Sequence, residues 1–220
     1  MNYLDYLRTD KFPHFWCSGC GNGIVLCAIA RAFEELDLTL ENTVVVTGIG
    51  CWGKADDYVR TNSFHGTHGR ALAFATGIKL ANPSLNVVVL MGDGDGISIG
   101  GNHFIHAARR NVDVTAILVN NFNYGMTGGQ YSGTTPEERI TTTSRYGHIE
   151  EGFDICAVAK AAGARYVARA STENPQQLKN LIRDGIKKQG FACIPYPEIE
   201  GVRIGQNGRA KNQLDIFSPE

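Results

Sequence analysis

Two apolar runs, each closed by a polar cluster, restrict the fold of this chain more than any other feature. Asn86 to Met91 ends on Gly92-Asp93-Gly94-Asp95, and Val112 to Val119 ends on Asn120-Asn121. Ile97 to Arg110, lying between them, reads as a helix. Strand, helix and strand of this length make one parallel crossover unit of roughly 30 residues. Asp93 and Asn121 then sit at the carboxyl ends of two strands, where open parallel sheets bind ligands. A carboxylate and an amide oxygen, beside glycines that let a phosphate approach the backbone, suit a hard cation such as Mg²⁺ and a diphosphate. Asp-Gly and Asn-Asn are also ordinary turn chemistry, and a lone Gly-Asp-Gly would carry no more than that. The matched pair at one crossover's separation favours the site over the turn.

The remaining pattern extends this unit into an α/β fold, an open parallel sheet with helices on both faces. Helices are expected at 22–36, 68–81, 98–110, 153–162 and 174–188. Strands are expected at 43–47, 86–91, 113–119 and 165–169, with a short one near 191–194. Val-rich continuous strands alternating with helices imply a sheet buried on both sides. No linker, repeat or charge block divides the 220 residues, and 43% apolar content can build a sizeable core. A net charge of −1 gives no sign of a nucleic-acid partner, and no apolar run is long enough to span a membrane. The chain opens without a charged and then apolar leader, so a cytoplasmic location is expected. Residues 123–150 read as a long polar loop, a lid, a subunit contact or a surface excursion.

Gly92-Asp93-Gly94 through Asn120-Asn121 resembles the thiamine diphosphate motif. The resemblance implies a thiamine diphosphate-binding fold in which Mg²⁺ is held by Asp93, Asn121 and the backbone carbonyl of Asn123.

The six cysteines narrow the family. Cys17-Ser18-Gly19-Cys20 precedes Gly21-Asn22-Gly23 and an apolar helix, and Cys51 follows a strand in Gly48-Ile49-Gly50-Cys51-Trp52-Gly53. A CxxC outside a secreted context points to metal or redox chemistry rather than a staple. Three thiols in glycine-rich backbone suit an iron–sulfur cluster, whose sulfides need nearby N–H donors. A zinc ribbon would want a second CxxC, while a thioredoxin-type redox pair stays open because the CxxC precedes a helix. Cys27 and Cys156 lie in apolar helices and read as ordinary buried cysteines.

Together with Trp16-Cys17-Ser18-Gly19-Cys20-Gly21, His65-Gly66-Thr67-His68-Gly69-Arg70-Ala71 and Tyr124-Gly125-Met126-Thr127-Gly128-Gly129-Gln130, these motifs resemble the beta subunit of 2-oxoacid:ferredoxin oxidoreductases. Gly53-Lys54-Ala55-Asp56-Asp57-Tyr58 and Gly100-Gly101-Asn102-His103 are most similar to the 2-oxoglutarate branch. The resemblance runs from about residue 10 to 192. It implies coenzyme A-dependent oxidative decarboxylation of a 2-oxoacid, with electrons passing through a [4Fe–4S] cluster to ferredoxin. Cys17, Cys20 and Cys51 would hold the cluster. Ile49, Gly50, Cys51, Trp52, His68, Gly94, Asp95, Gly125 and Met126 would contact the cofactor, and Lys54 a substrate carboxylate. The carboxylate that activates the pyrimidine ring would come from a partner alpha subunit, so the chain alone is expected to be inactive.

The match departs at the end, where the family carries a fourth cluster cysteine and this chain reads Pro195-Tyr196-Pro197-Glu198-Ile199-Glu200-Gly201-Val202. Three explanations stand: Cys193 is recruited, a non-cysteine ligand or three-iron cluster is used, or the C-terminus is divergent or frameshifted. Residues 1–194 are accordingly read as the binding domain and 195–220 as a divergent tail. A non-oxidative thiamine enzyme with incidental cysteines and a non-catalytic electron-transfer subunit are the rival classes. His65 reads as a weaker cofactor contact, His103 and His106 as structural, and Thr127 and Gln130 as shaping the loop beside the cofactor.

Overall fold

A computed structural model describes residues 1–197 together with the two-residue strands Arg203–Ile204 and Ala210–Lys211. The strands are β1 (Thr43–Thr47), β2 (Asn62–His65), β3 (Asn86–Gly92), β4 (Thr115–Asn120), β5 (Asn123–Tyr124), β6 (Gln130–Tyr131), β7 (Tyr166–Val167), β8 (Ala192–Pro197), β9 (Arg203–Ile204) and β10 (Ala210–Lys211). The helices are α1 (Asn22–Glu35), α2 (Ala71–Ala81), α3 (Gly101–Arg109), α4 (Ile155–Ala161) and α5 (Pro175–Lys187). Six strands form one sheet in the order β2-β1-β3-β4-β8-β7, every pairing parallel.

Side chains alternate across a strand, so a sheet covered on both faces needs apolar residues at every position. β3 meets this: Val88 and Leu90 face one core with α1 and α5, while Val87, Val89 and Met91 face the other with α2, α3 and α4. Phe104 of α3 and Phe191 lock the second core edge-to-face, with ring centroids 5.7 Å apart. Gly185 of α5 lies so close to Ile194 that a Cβ there would come within 2.7 Å of its Cδ1.

The expected helices and sheet strands are all present, with shorter or shifted ends. The helix expected from 68 begins at Ala71, because Gly69 takes a left-handed φ of +73° and its Cα packs against Ile99 and Gly100. The helix expected from 98 begins at Gly101, preceded by a π-helical turn over Gly94–Ile99. Such turns cluster at functional sites. β8 runs on to Pro197, three residues past its expected end. β2 was not expected: it is an exposed edge strand reading Asn-Ser-Phe-His, with no apolar alternation to betray it. Cys27 and Cys156, expected to be buried, are only half-buried, and the buried cysteines are Cys20 and, in β8, Cys193. Glu198 to Val202, in the stretch where the family's fourth cysteine would fall, lies outside the described residues, as does most of the tail beyond it. Among the described residues no helix is long and apolar enough to cross a membrane.

Candidate cofactor site

β1 connects outward to β2, while β3 connects the opposite way through α3 to β4, so the chain's direction reverses between β1 and β3. Loops leaving neighbouring strands in opposite directions open a crevice at their carboxyl ends. A cleft of about 560 Å³, counting the space that opens to solvent, lies there. The segment after β1 supplies Ile49, Gly50, Cys51 and Trp52; the end of β3 supplies Asp93, Gly94 and Asp95; the segment after β4 supplies Asn121 and Asn123 to Thr127. Asn22, at the start of α1, and His68 complete the polar lining.

Asp93 is 1% exposed. Its Oδ2 accepts hydrogen bonds from the hydroxyls of Ser132 and Thr134, the latter at 2.7 Å. Burial nonetheless pushes its carboxyl up to about 6, against the lowering effect of those hydroxyls and the Gly94 N–H. On the other side of the carboxylate, a terminal atom of the Asn121 amide stands 2.7 Å from Asp93 Oδ1 and 2.8 Å from the Asn123 carbonyl oxygen. Turned with its oxygen inward, Asn121 brings three oxygens together. Turned with its NH₂ inward, it donates to the other two. An oxygen donor set that converges this tightly is what a hard cation requires. The Asn123 side-chain Oδ1 is also buried without a partner.

Asp95, two residues on, is 2% exposed and takes a different role. Its Oδ1 accepts from His68 Nδ1 at 2.7 Å, from the Gly69 N–H at 2.7 Å and from the Ile49 N–H at 3.3 Å. Burial raises its carboxyl despite those donors. Oδ2 is buried without a partner, against the Cα of Gly48, where any Cβ would strike the carboxylate. Asp95 thereby ties the loop after β1 to the turn before α2. Asp95 occupies Nδ1 of His68, so Nε2 is the nitrogen left to meet a ligand. Tyr124 lays its ring over Gly94, whose missing side chain makes room for it, and its hydroxyl donates to the Gly94 carbonyl at 3.3 Å.

The structure brings together all but four of the residues expected to contact the cofactor, substrate or metals, the exceptions being Lys54, Cys17, Cys20 and His65. Ile49, Gly50, Cys51, Trp52, His68, Asp93, Gly94, Asp95, Asn121, Asn123, Gly125 and Met126 all line the cleft. Lys54 does not: its ammonium pairs with Asp57 at 2.6 Å, one helical turn away. Cys17 and Cys20 are not in the cleft lining but share the apolar cluster of α1 and α5 with Cys51, and Trp16 Nε1 donates to the Cys51 carbonyl at 2.6 Å. Among the described residues no three His, Cys, Asp or Glu side chains gather closely enough to hold a single metal ion. Cys193 belongs to the opposite face of the sheet, with α2, α3 and α4, which removes it as a fourth partner to the other three. His65 bonds Thr47 and Asp56, both at 3.1 Å, and stands outside the cleft. Thr127 and Gln130 bond one another across the turn between β5 and β6.

Sequence reasoning missed Asn22, Tyr124, Ser132 and Thr134. Asn22, 2% exposed with an unpartnered Oδ1, is the first residue of α1 and sits in Gly21-Asn22-Gly23, where nothing in the sequence sets it apart from the glycines around it. Ser132 and Thr134 approach Asp93 only through long-range folding, and no local signal marks them. The 123–150 segment is therefore no loose excursion at its start: Ser132, Thr134 and Thr135 are buried.

Residues 46–195 match the thiamine pyrophosphate enzyme, C-terminal TPP-binding domain family. A 2-oxoglutarate synthase subunit KorB from Archaeoglobus fulgidus is 55% identical over 87% of this chain and 72% of its own length. The subunit of the same name from Methanothermobacter marburgensis is 49% identical over 98% of this chain and 75% of its own. The chain belongs to the beta-subunit family of the 2-oxoacid:ferredoxin oxidoreductases. A solved family structure, 2-oxoglutarate:ferredoxin oxidoreductase from Magnetococcus marinus with 2-oxoglutarate, coenzyme A and succinyl-CoA bound, superposes with a TM-score of 0.87. It is 39% identical and covers 90% of this chain and 67% of that one. The family model's match, residues 46–195, spans the loops after β1, β3 and β4 that line the cleft.

Proposed function

We propose that this chain is the beta subunit of a 2-oxoglutarate:ferredoxin oxidoreductase that works in the cytoplasm with an alpha subunit, coenzyme A and ferredoxin. The observation that carries this reading is the convergence of Asp93, Asn121 and the Asn123 carbonyl at the carboxyl end of β3 and β4. In this reading those three oxygens hold Mg²⁺, and the cation holds the diphosphate. Thiamine diphosphate, when bound, supplies the nucleophilic carbon and electron sink for decarboxylating a 2-oxoacid. Asp95 fixes His68 at the cleft wall, where its Nε2 can donate to an anionic group. Gly50, with a left-handed φ of +100°, lets the loop after β1 close on the cofactor.

Cys17, Cys20 and Cys51 are the proposed ligands of a [4Fe–4S] cluster. Two facts support it: all three pack on one face of the sheet, and Cys51 also lines the cleft. Electrons leaving the cofactor would therefore have a short path, with Trp16 holding the Cys51 backbone in place. The fourth ligand then comes from outside Cys193. Lys54 retains its proposed part as a substrate-carboxylate group only if its bridge to Asp57 opens. Residues 1–194 are the proposed cofactor domain and 195–220 a divergent tail whose first residues continue β8.

Anaerobic co-purification with an alpha subunit tests the reading. The complex should reduce ferredoxin only when 2-oxoglutarate and coenzyme A are both supplied, and the single chain should not. Decarboxylation of 2-oxoglutarate by the single chain would contradict it.

A further inference from the structure

We infer that Ser132 and Thr134 are positioning residues of the cation site, selecting which oxygen of Asp93 faces the metal and making residues 132–135 part of that site. The inference rests on the Mg²⁺ reading above. Asp93 has two oxygens and the fold treats them differently. Oδ2 is taken by the Ser132 hydroxyl and, at 2.7 Å, by the Thr134 hydroxyl. Oδ1 faces Asn121 at 2.7 Å. A free carboxylate can swing either oxygen, or both, toward a cation. Two hydroxyls on Oδ2 leave Oδ1 as the one presented.

The hydroxyls are themselves held. Ser132 is 1% exposed and Thr134 3%. Their oxygens lie 3.1 Å apart, and Thr134 Oγ1 is also 2.8 Å from Asn120 Oδ1. A threonine hydroxyl has a single proton, so it serves either Asp93 or Asn120 at one time. An ionised Asp93 draws it as the stronger acceptor. Behind them, the Ser132 N–H donates to Thr135 Oγ1 at 2.9 Å, which donates to the Phe122 carbonyl at 2.5 Å. The Gly133 N–H donates to Ser98 Oγ at 2.8 Å, and Ser98 donates to the Asp93 carbonyl at 3.4 Å. The segment is thus clasped to the strand ends that carry Asp93 and Asn121. Groups that orient a metal ligand this way change metal affinity by about 10- to 100-fold when removed. Coupling of this kind is reciprocal, so metal binding must also tighten the segment.

The test uses the full chain with thiamine diphosphate and Mn²⁺, read by the paramagnetic signal of free Mn²⁺ at a temperature where each variant is folded. The Ser132→Ala, Thr134→Val double variant should bind Mn²⁺ about 10- to 100-fold more weakly. Thr134→Ser, which keeps the hydroxyl, should stay close to the parent. If the double variant does not fold, the comparison of Thr134→Val with Thr134→Ser carries the test. Adding Mn²⁺ to the parent should slow amide exchange at 132–135. Equal Mn²⁺ affinity in parent and variants overturns this inference alone. No Mn²⁺ uptake by the parent overturns the cofactor reading, and this inference with it.

Discussion

A single buried carboxylate sets the character of the site at the scale of residues. Asp93 stands at about 6 in the folded chain against an ordinary 3.8. The native state therefore holds this proton more tightly than the unfolded chain does. Asp93's own contribution to the stability of the metal-free protein is fully present below about pH 4 and is lost as pH rises through about 6. The full loss is about 3 kcal/mol. A cation beside Oδ1 would remove that penalty, which is how a binding site can be unstable when empty. Asp93→Asn keeps the shape and discards the charge. Its metal-free melting temperature should exceed the parent's at pH 8, and the two should converge near pH 4. Thermal melts in chelator at both pH values check this, and a variant less stable than the parent at pH 8 would refute it. Asp93 and Asn121 were legible because glycines and strand ends mark them locally, while Asn123 came only from the resemblance to the thiamine diphosphate motif. Ser132 and Thr134 were not, because they reach Asp93 across about 40 residues of chain that only folding closes.

The elements show the same division between what local pattern reveals and what packing decides. β1, β3 and β4 are continuous Val, Ile and Leu runs, and only burial on both faces explains such runs in short strands. β2 is polar and exposed, so nothing in its period separates it from a loop. α3 was legible as a helix, but its start was displaced by the π-helical turn that carries Asp95 into the cleft. Phe104 anchors α3 with no exposure at all. Phe104→Ala should cost about 3 to 5 kcal/mol in denaturant unfolding. A loss below about 1 kcal/mol would mean that the core around Phe191 collapses to fill the gap. At α4, Asp154 caps the helix by accepting from Cys156 N–H at 2.9 Å and Ala157 N–H at 3.1 Å, and it pairs with Arg169 at 2.7 Å. The Ala157 N–H, chief among these partners, holds its carboxyl below the usual range. That contribution is present at neutral pH and fades as pH falls through the depressed value. Asp154→Ala should cost about 1 kcal/mol at pH 7, with the difference shrinking in acid. A pH-independent difference would assign the loss to something other than the ionised cap.

At the scale of the whole molecule, the proposed cluster ligands and the proposed cofactor cleft meet at one loop, the segment after β1. The face with α1 and α5 carries Cys17, Cys20 and Cys51, and the carboxyl edge carries the cleft; Cys51 belongs to both. Cys51→Ser, co-purified anaerobically with an alpha subunit, should lose iron while retaining bound thiamine diphosphate. Cys193→Ser should lose neither, because Cys193 lies across the sheet. The central claim is that a divalent cation at Asp93 and Asn121 holds a diphosphate at the end of β3 and β4. Calorimetric titration of the full chain with thiamine diphosphate, with and without Mg²⁺, tests it most directly. The account predicts saturable binding that requires Mg²⁺ and is lost in Asp93→Asn. Binding indifferent to Mg²⁺, or unchanged by that substitution, would contradict it.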